Sequence, residues 1–290
     1  MAAVTSRDGT SIAYTRVGSG PPLIIVDGAM CHRSFGPSAA LARELSDRFT
    51  VITYDRRGRG ESGNNPAYAV EREVEDLDAL IAAAGGAVFL LGISSGVALS
   101  LEAANRGLAI AKLALYEAPF IVDGTREPLA DDYLAQLKTM IAEDRRSDAL
   151  KHFMSALQVP RIFVFVMSLM PTWSKLKMVA PTLVHDITMV EPYQHGRPLP
   201  ARRWSSVTMP ALVMDGGKSP AWMRNAQRAL AAVLPNATTR TLPGQTHMVK
   251  ATVLAPAVVE FFSATPARNV PEVPTVPGVP DVQGAVHSAP

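Results

Sequence analysis

The chain has 290 residues, 48% of them apolar, enough to bury one large core in a single domain. Its 28 basic and 26 acidic residues leave a formal charge of +2, and the basic residues are scattered, so no footprint for nucleic acid is expected. A single cysteine, Cys31, excludes an internal disulfide. With no basic segment leading into an apolar core over Met1 to Asp8, it suggests a cytoplasmic protein without a signal peptide.

In chain order, residues 3–17 predict two short strands around the turn Asp8-Gly9. Pro21-Pro22 leads into Leu23 to Val26, too apolar for an edge strand and read as central. A helix from about Ser38 to Asp47 and a strand Thr50 to Asp55 follow. The run Arg56-Arg57-Gly58-Arg59 is glycine-broken and suits a loop better than a phosphate-binding face. Val70, Val74, Leu77, Leu80, Ile81 and Ala84 mark an amphipathic helix with acids on its other face. The strand Ala87 to Leu91 precedes Gly92-Ile93-Ser94-Ser95-Gly96, after which Val97, Ala98, Leu101 and Ala104 recur at helical spacing. Further strands are read at Lys112 to Tyr116, Ala211 to Met214 and Thr238 to Leu242, with a closing helix around Ala257 to Phe262.

Strands alternating with helices predict an α/β fold, a mostly parallel, doubly wound sheet with both faces covered. The segment from about 121 to 206 breaks that rhythm. It is rich in Met, Phe and Trp with no clear strand, and is expected to be a helical cap inserted into one domain spanning 1–264. Residues 265–290 are Pro, Val, Gly and Ala-rich and are expected to form a disordered tail. The longest apolar stretch, Ile162 to Met170, is too short to span a bilayer, so no membrane partner is expected.

A strand ending in G-x-S-x-G and running into a helix lifts one serine, Ser94, out of the sheet on a sharp turn. A side chain at Gly92 or Gly96 would collide with that turn. A serine hydroxyl is a poor nucleophile at neutral pH and needs a base, and the base needs an acid to hold its tautomer. His247, in the loop after the last predicted strand, is placed to be that base. The other histidines, at 32, 152, 185, 195 and 287, show no metal-ligand spacing, and Cys31, with no elbow around it, reads as a small buried residue.

Over roughly residues 3–262 the chain resembles the α/β-hydrolase family. It shares the elbow serine, the late histidine, the stretch Tyr54-Asp55-Arg56-Arg57-Gly58-Arg59-Gly60-Glu61-Ser62 and the order Ser, acid, His. In the commonest family pattern an aspartate follows the strand here written Ala211 to Met214, but Ser219 stands in that place. Two carboxylates remain. Glu117 ends the strand Lys112 to Tyr116, where haloalkane dehalogenases and zearalenone-cleaving lactonases carry their acid. Those lactonases also share Ser-Ser-Gly at the elbow and a Glu-x-Pro element, here Glu117-Ala118-Pro119. Asp215 is the rival, two positions early in its loop, and ranks behind Glu117.

The resemblance also implies an oxyanion hole from the backbone N–H groups of Ser95 and Ala29, the latter after Asp27-Gly28 where relatives have His-Gly. It implies a serine hydrolase for a carboxylic ester or lactone, with no cofactor or metal. Met30, Phe153, Met154, Met167, Met170 and Trp173, with Phe163, Phe165 and Met178, suggest a pocket for a small apolar substrate. The same residues leave open a cofactor-free haloperoxidase or perhydrolase, carbon-carbon bond hydrolysis, and a non-catalytic ligand-binding protein on the same fold.

Overall fold

The computed structural model describes residues 2–264 of the chain, so the expected tail at 265–290 lies outside the described residues. Two antiparallel strands open the chain, β1 (Ala2–Thr5) and β2 (Ser11–Val17), joined through the turn at Asp8-Gly9. β2 then pairs antiparallel with β4 (Thr50–Tyr54). From there the sheet is parallel, through β3 (Pro22–Val26), β5 (Val88–Ile93), β6 (Ile110–Tyr116), β7 (Ala211–Gly216) and β8 (Ala237–Leu242). The eight-stranded order is β1-β2-β4-β3-β5-β6-β7-β8. The fold class is therefore the expected α/β one, a mostly parallel sheet wound with helices.

Helices cover both faces because both faces of the central strands are apolar. Every residue of β4 is buried, as are Leu23 to Val26 of β3. On one face α2 (Val70–Ala84) and α3 (Ser95–Asn105) pack with Ile24, Val26, Leu90 and Leu113. On the other, α1 (Ser38–Leu45) and α10 (Ala251–Ser263) pack with Leu23, Ile25, Leu91 and Met214. α10 begins six residues ahead of the expected Ala257 and carries Pro256 inside it, which a propensity reading takes for a boundary. α9 (Ala221–Val233) connects β7 to β8.

Between β6 and β7 the chain builds the cap from α4 (Tyr133–Ala142), α5 (Arg146–Ala156), α6 (Arg161–Ser168), α7 (Thr172–Val179) and α8 (Leu183–Val190). No strand lies in it among the described residues. Its α6 leaves Ile162, Phe163, Phe165, Val166 and Leu169 on the surface, with only Val164 buried. No single helix among the described residues is long and apolar enough to cross a membrane.

Candidate active site

Parallel strands bring their carboxyl ends to one edge, and the register decides which residues meet there. Ile93 is level with Tyr116, Tyr116 with Met214, and Gly216 with Leu242. The residues just beyond these ends, Ser94, Glu117, Ser219 and His247, therefore come from loops at a common edge.

Ser94 is the sharp turn itself, at φ 55° and ψ −127°, held by its N–H on the Tyr116 carbonyl at 2.9 Å. A non-glycine residue at positive φ is strained, and such strain clusters at functional sites. The flanking glycines are required by space. A Cβ at Gly96 would lie 2.0 Å from the Val26 carbonyl oxygen, and one at Gly92 would lie 2.7 Å from Ser100 Oγ. A Cβ on Gly28 would lie 2.8 Å from Ser94 Cβ, so the loop after β3 presses its backbone against the serine. Among the described residues neither the Ala29 nor the Ser95 N–H has a hydrogen-bond acceptor, and both residues line the cavity that contains Ser94.

Glu117 is fully buried and, like Ser94, sits at positive φ, 51°. That turn carries its carboxylate across the end of β7. Oε1 accepts from the Gly216 N–H at 2.7 Å and from Ser219 Oγ at 2.5 Å, and Oε2 meets His247 Nδ1 at 2.9 Å. Ser219, which stands where the resemblance expects an aspartate, thus donates to the Glu117 carboxylate. The His247 loop is tied down by Tyr116, whose hydroxyl donates to the Thr246 carbonyl at 2.7 Å, and by the Lys218 N–H on the Gln245 carbonyl at 2.8 Å. Among the described residues no hydrogen bond joins Ser94 Oγ to the His247 ring. Such bonds are commonly long before substrate arrives. Among the described residues no hydrogen bond or ion pair joins Asp215 to His247. The Asp215 side chain is buried in β7, with Oδ1 unpartnered among the described residues.

The arginine run after β4 lies in a loop, as read from the sequence, and its three arginines are buried. Arg56 grips Glu73 of α2 through Nε and a terminal nitrogen at 2.7 and 2.8 Å, and its other nitrogen donates to Asp186 of α8 at 2.7 Å. Arg59 donates to the other oxygen of Asp186 at 2.6 Å, to Thr182 Oγ1 at 3.1 Å and to the Gly28 carbonyl at 2.7 Å. Ser95 Oγ donates to Asp186 at 2.7 Å. Burial alone would raise the Asp186 carboxyl, but the two guanidinium groups outweigh it and hold it below its usual range. Asp27, in the place of the relatives' histidine, is buried with one oxygen on Ser38 Oγ and the other unpartnered, and burial pushes it up to about 6. Cys31 is half-buried rather than buried, and desolvation pushes its thiol up to about 12, which suppresses the thiolate.

The cavity at Ser94 has a volume of about 40 Å³ and is lined on one side by residues of the cap. Of the expected pocket side chains only Phe153 lines it. Met154 and Trp173 are buried in the cap's own core, the latter donating to Ser147 Oγ, and Met167 packs against that core. Phe163 and Phe165 of α6 are exposed, since that helix is apolar on nearly all sides and periodicity does not say which side faces inward; Met170, after it, and Met178 of α7 are exposed as well. Met30, in the loop after β3, sits at φ 62° and is outside the cavity lining. Arg126, Asp186 and Gln194 do line it, and the sequence reading missed all three.

The family model described as Alpha/beta hydrolase family matches residues 20–260. The chain belongs to the α/β-hydrolase family. This hydrolase is 48% identical to an alpha/beta hydrolase from Sphaerobacter thermophilus, covering 90% of this chain and 100% of that one with a TM-score of 0.83. It is similar in fold to a thermophilic esterase from Thermogutta terrifontis (22% identity, 90% and 97% covered, TM-score 0.65). A bromoperoxidase from Bacillus anthracis shares the fold as well (19% identity, 91% and 99% covered, TM-score 0.69). An uncharacterized hydrolase of Bacillus subtilis, YraK, is 28% identical over 161 residues, 52% of this chain and 55% of that protein. The chain thus spans about half the length of the curated relative it matches.

Proposed function

We propose that this α/β-hydrolase is a serine hydrolase that cleaves a carboxylic ester or lactone through Ser94, His247 and Glu117. The observation that carries the reading is the 2.9 Å contact between Glu117 Oε2 and His247 Nδ1. A buried carboxylate there keeps the proton on Nδ1 and leaves Nε2 as a base. His247 takes the Ser94 proton as Ser94 Oγ attacks the carbonyl carbon. The tetrahedral oxyanion is held by the Ala29 and Ser95 N–H groups, which are unengaged and share the Ser94 cavity. His247 then returns the proton to the leaving alcohol, and water, deprotonated by the same ring, releases the acyl group.

The test pairs labelling with turnover. A fluorophosphonate probe should label wild type on Ser94, and Ser94→Ala should lose both labelling and p-nitrophenyl acetate hydrolysis while keeping its circular dichroism spectrum. Retention of a tenth of wild-type turnover by purified Ser94→Ala would refute the assignment.

A further inference from the structure

Besides Ser94 and Ser95, three polar side chains line the cavity, Asp186, Arg126 and Gln194, and only Asp186 is internally satisfied. Asp186 has both oxygens occupied by Arg56, Arg59 and Ser95. Arg126 is different. It is 8% exposed, donates one N–H to the Ala156 carbonyl, and stacks on Trp222 with its guanidinium carbon 4.1 Å from the ring centroid. It has no ion-pair partner among the described residues, and burial lowers its pKa, with only the Tyr133 phenol pulling the other way and no carboxylate beside it. A guanidinium carries five N–H donors in a planar fork, and buried charges are ordinarily paired. Beside it, Gln194 is 6% exposed and donates Nε2 to the Pro119 carbonyl at 2.7 Å, which fixes the amide orientation. Its Oε1 is buried and lacks a partner among the described residues, and the residue lines the same cavity.

An unpaired cation and an unpaired acceptor next to a nucleophile define the missing partner chemically. We infer that the substrate of this hydrolase is a short ester bearing a carboxylate, gripped by the Arg126 fork, and a hydroxyl or N–H group accepted by Gln194 Oε1. The inference rests on Ser94 being the nucleophile, and it replaces the wholly apolar ligand suggested by the cap's composition. A planar carboxylate matches the fork bidentately, and the aromatic face of Trp222 holds the guanidinium plane from behind. The small cavity favours a short acyl chain, since 40 Å³ admits only roughly three waters as it stands.

The experiment compares monomethyl succinate with methyl butyrate, which differ by a carboxylate in place of a methyl group, by titrating released acid with the full-length protein. Wild type should prefer the half-ester in kcat/KM. Arg126→Gln should cut that preference ratio about thirtyfold, mainly through KM, and Arg126→Lys should recover part of it. Independently of turnover, calorimetric titration of succinate into Ser94→Ala should give binding that disappears in Ser94→Ala/Arg126→Gln. A preference ratio unmoved by Arg126→Gln, or no succinate binding to folded Ser94→Ala, overturns the inference. If wild type hydrolyses neither ester and the fluorophosphonate probe leaves Ser94 unlabelled, the serine-hydrolase reading is what fails. Succinate binding that depends on Arg126 would then still support the anion site by itself.

Discussion

Glu117→Gln tests the acid most sharply, because the exchange preserves shape and changes only charge and hydrogen-bond polarity. In the variant, the Gly216 N–H and the Ser219 hydroxyl still require an acceptor, so the amide oxygen stays where Oε1 is now. The amide NH₂ is then forced onto His247, whose Nδ1 must become an acceptor, and the ring proton moves to Nε2, the atom that should receive the Ser94 proton. The second loss is electrostatic. With charge centres about 5 Å apart and an effective dielectric near 20, a carboxylate stabilises the imidazolium by about 3 kcal/mol. The His247 side chain is 38% exposed, which screens this to about 2 kcal/mol. Adding about 2 kcal/mol for the wrong tautomer gives a drop of roughly a thousandfold in kcat/KM at about 1.4 kcal/mol per tenfold. p-Nitrophenyl acetate turnover at matched folded fraction measures it, beside Asp215→Asn, which should stay within about tenfold of wild type. A Glu117→Gln enzyme within tenfold of wild type, with Asp215→Asn the more damaged, would move the acid to Asp215.

Gly96→Ala drives a Cβ to 2.0 Å from the backbone oxygen of Val26 and should destabilise by more than about 4 kcal/mol or prevent folding, read by urea titration. Asp27, with its carboxyl raised from 3.8 to about 6, binds its proton more tightly folded than unfolded, so stability falls as pH rises from about 4 to 6. Asp27→Asn should remove this burden, and its stability relative to wild type should be on the order of 3 kcal/mol better at pH 8 than at pH 4; an equal difference at both pH values would contradict it. His185, stacked on Tyr68 with centroids 3.8 Å apart, is lowered by burial from 6.5 to about 4, so the unfolded chain binds the extra proton and stability falls as pH drops through that window. His185→Phe should therefore flatten the acid side of a melting-temperature profile between pH 6.5 and 4, while an unchanged slope would place the sensitivity elsewhere.

The fold was legible where its signals are local. The elbow, with β5 and α3 on either side, lies within one continuous stretch, and the alternation of strands and helices ordered the parallel sheet. His247 and Glu117 were reachable because parallel strands end at one edge, although the left-handed turn that swings Glu117 over β7 has no glycine to announce it. Asp186 was missed because its partner Arg56 is 130 residues away in sequence. A sign existed: an aspartate among Leu183, Val184, Ile187, Met189 and Val190 is a charge on an apolar helix and needs a buried cation. Arg126 sits in Asp123-Gly124-Thr125-Arg126-Glu127-Pro128, which reads as a solvated turn, and only the folded cap strips it of water. The aromatics of α6, with Met170 and Met178 beyond it, misled for the opposite reason, since apolar composition was read as inward-facing and these side chains face out.

The buried tie between Asp186, Arg56 and Arg59 divides the cap into two parts of different standing. Thr182 and Asp186 of the α8 region act as a plug for two guanidinium groups that also brace the loop after β3, Arg59 through the Gly28 carbonyl and Arg56 through the Asp27 carbonyl. A graft that replaced the whole cap with that of a relative lacking these side chains would strand the Arg59 charge beneath it and leave Arg56 with Glu73 alone, at a cost of several kcal/mol. The boundary for exchanging caps therefore lies between Val179 and Thr182: helices α4 to α7 can be recombined to change which substrates enter, while α8 travels with the sheet.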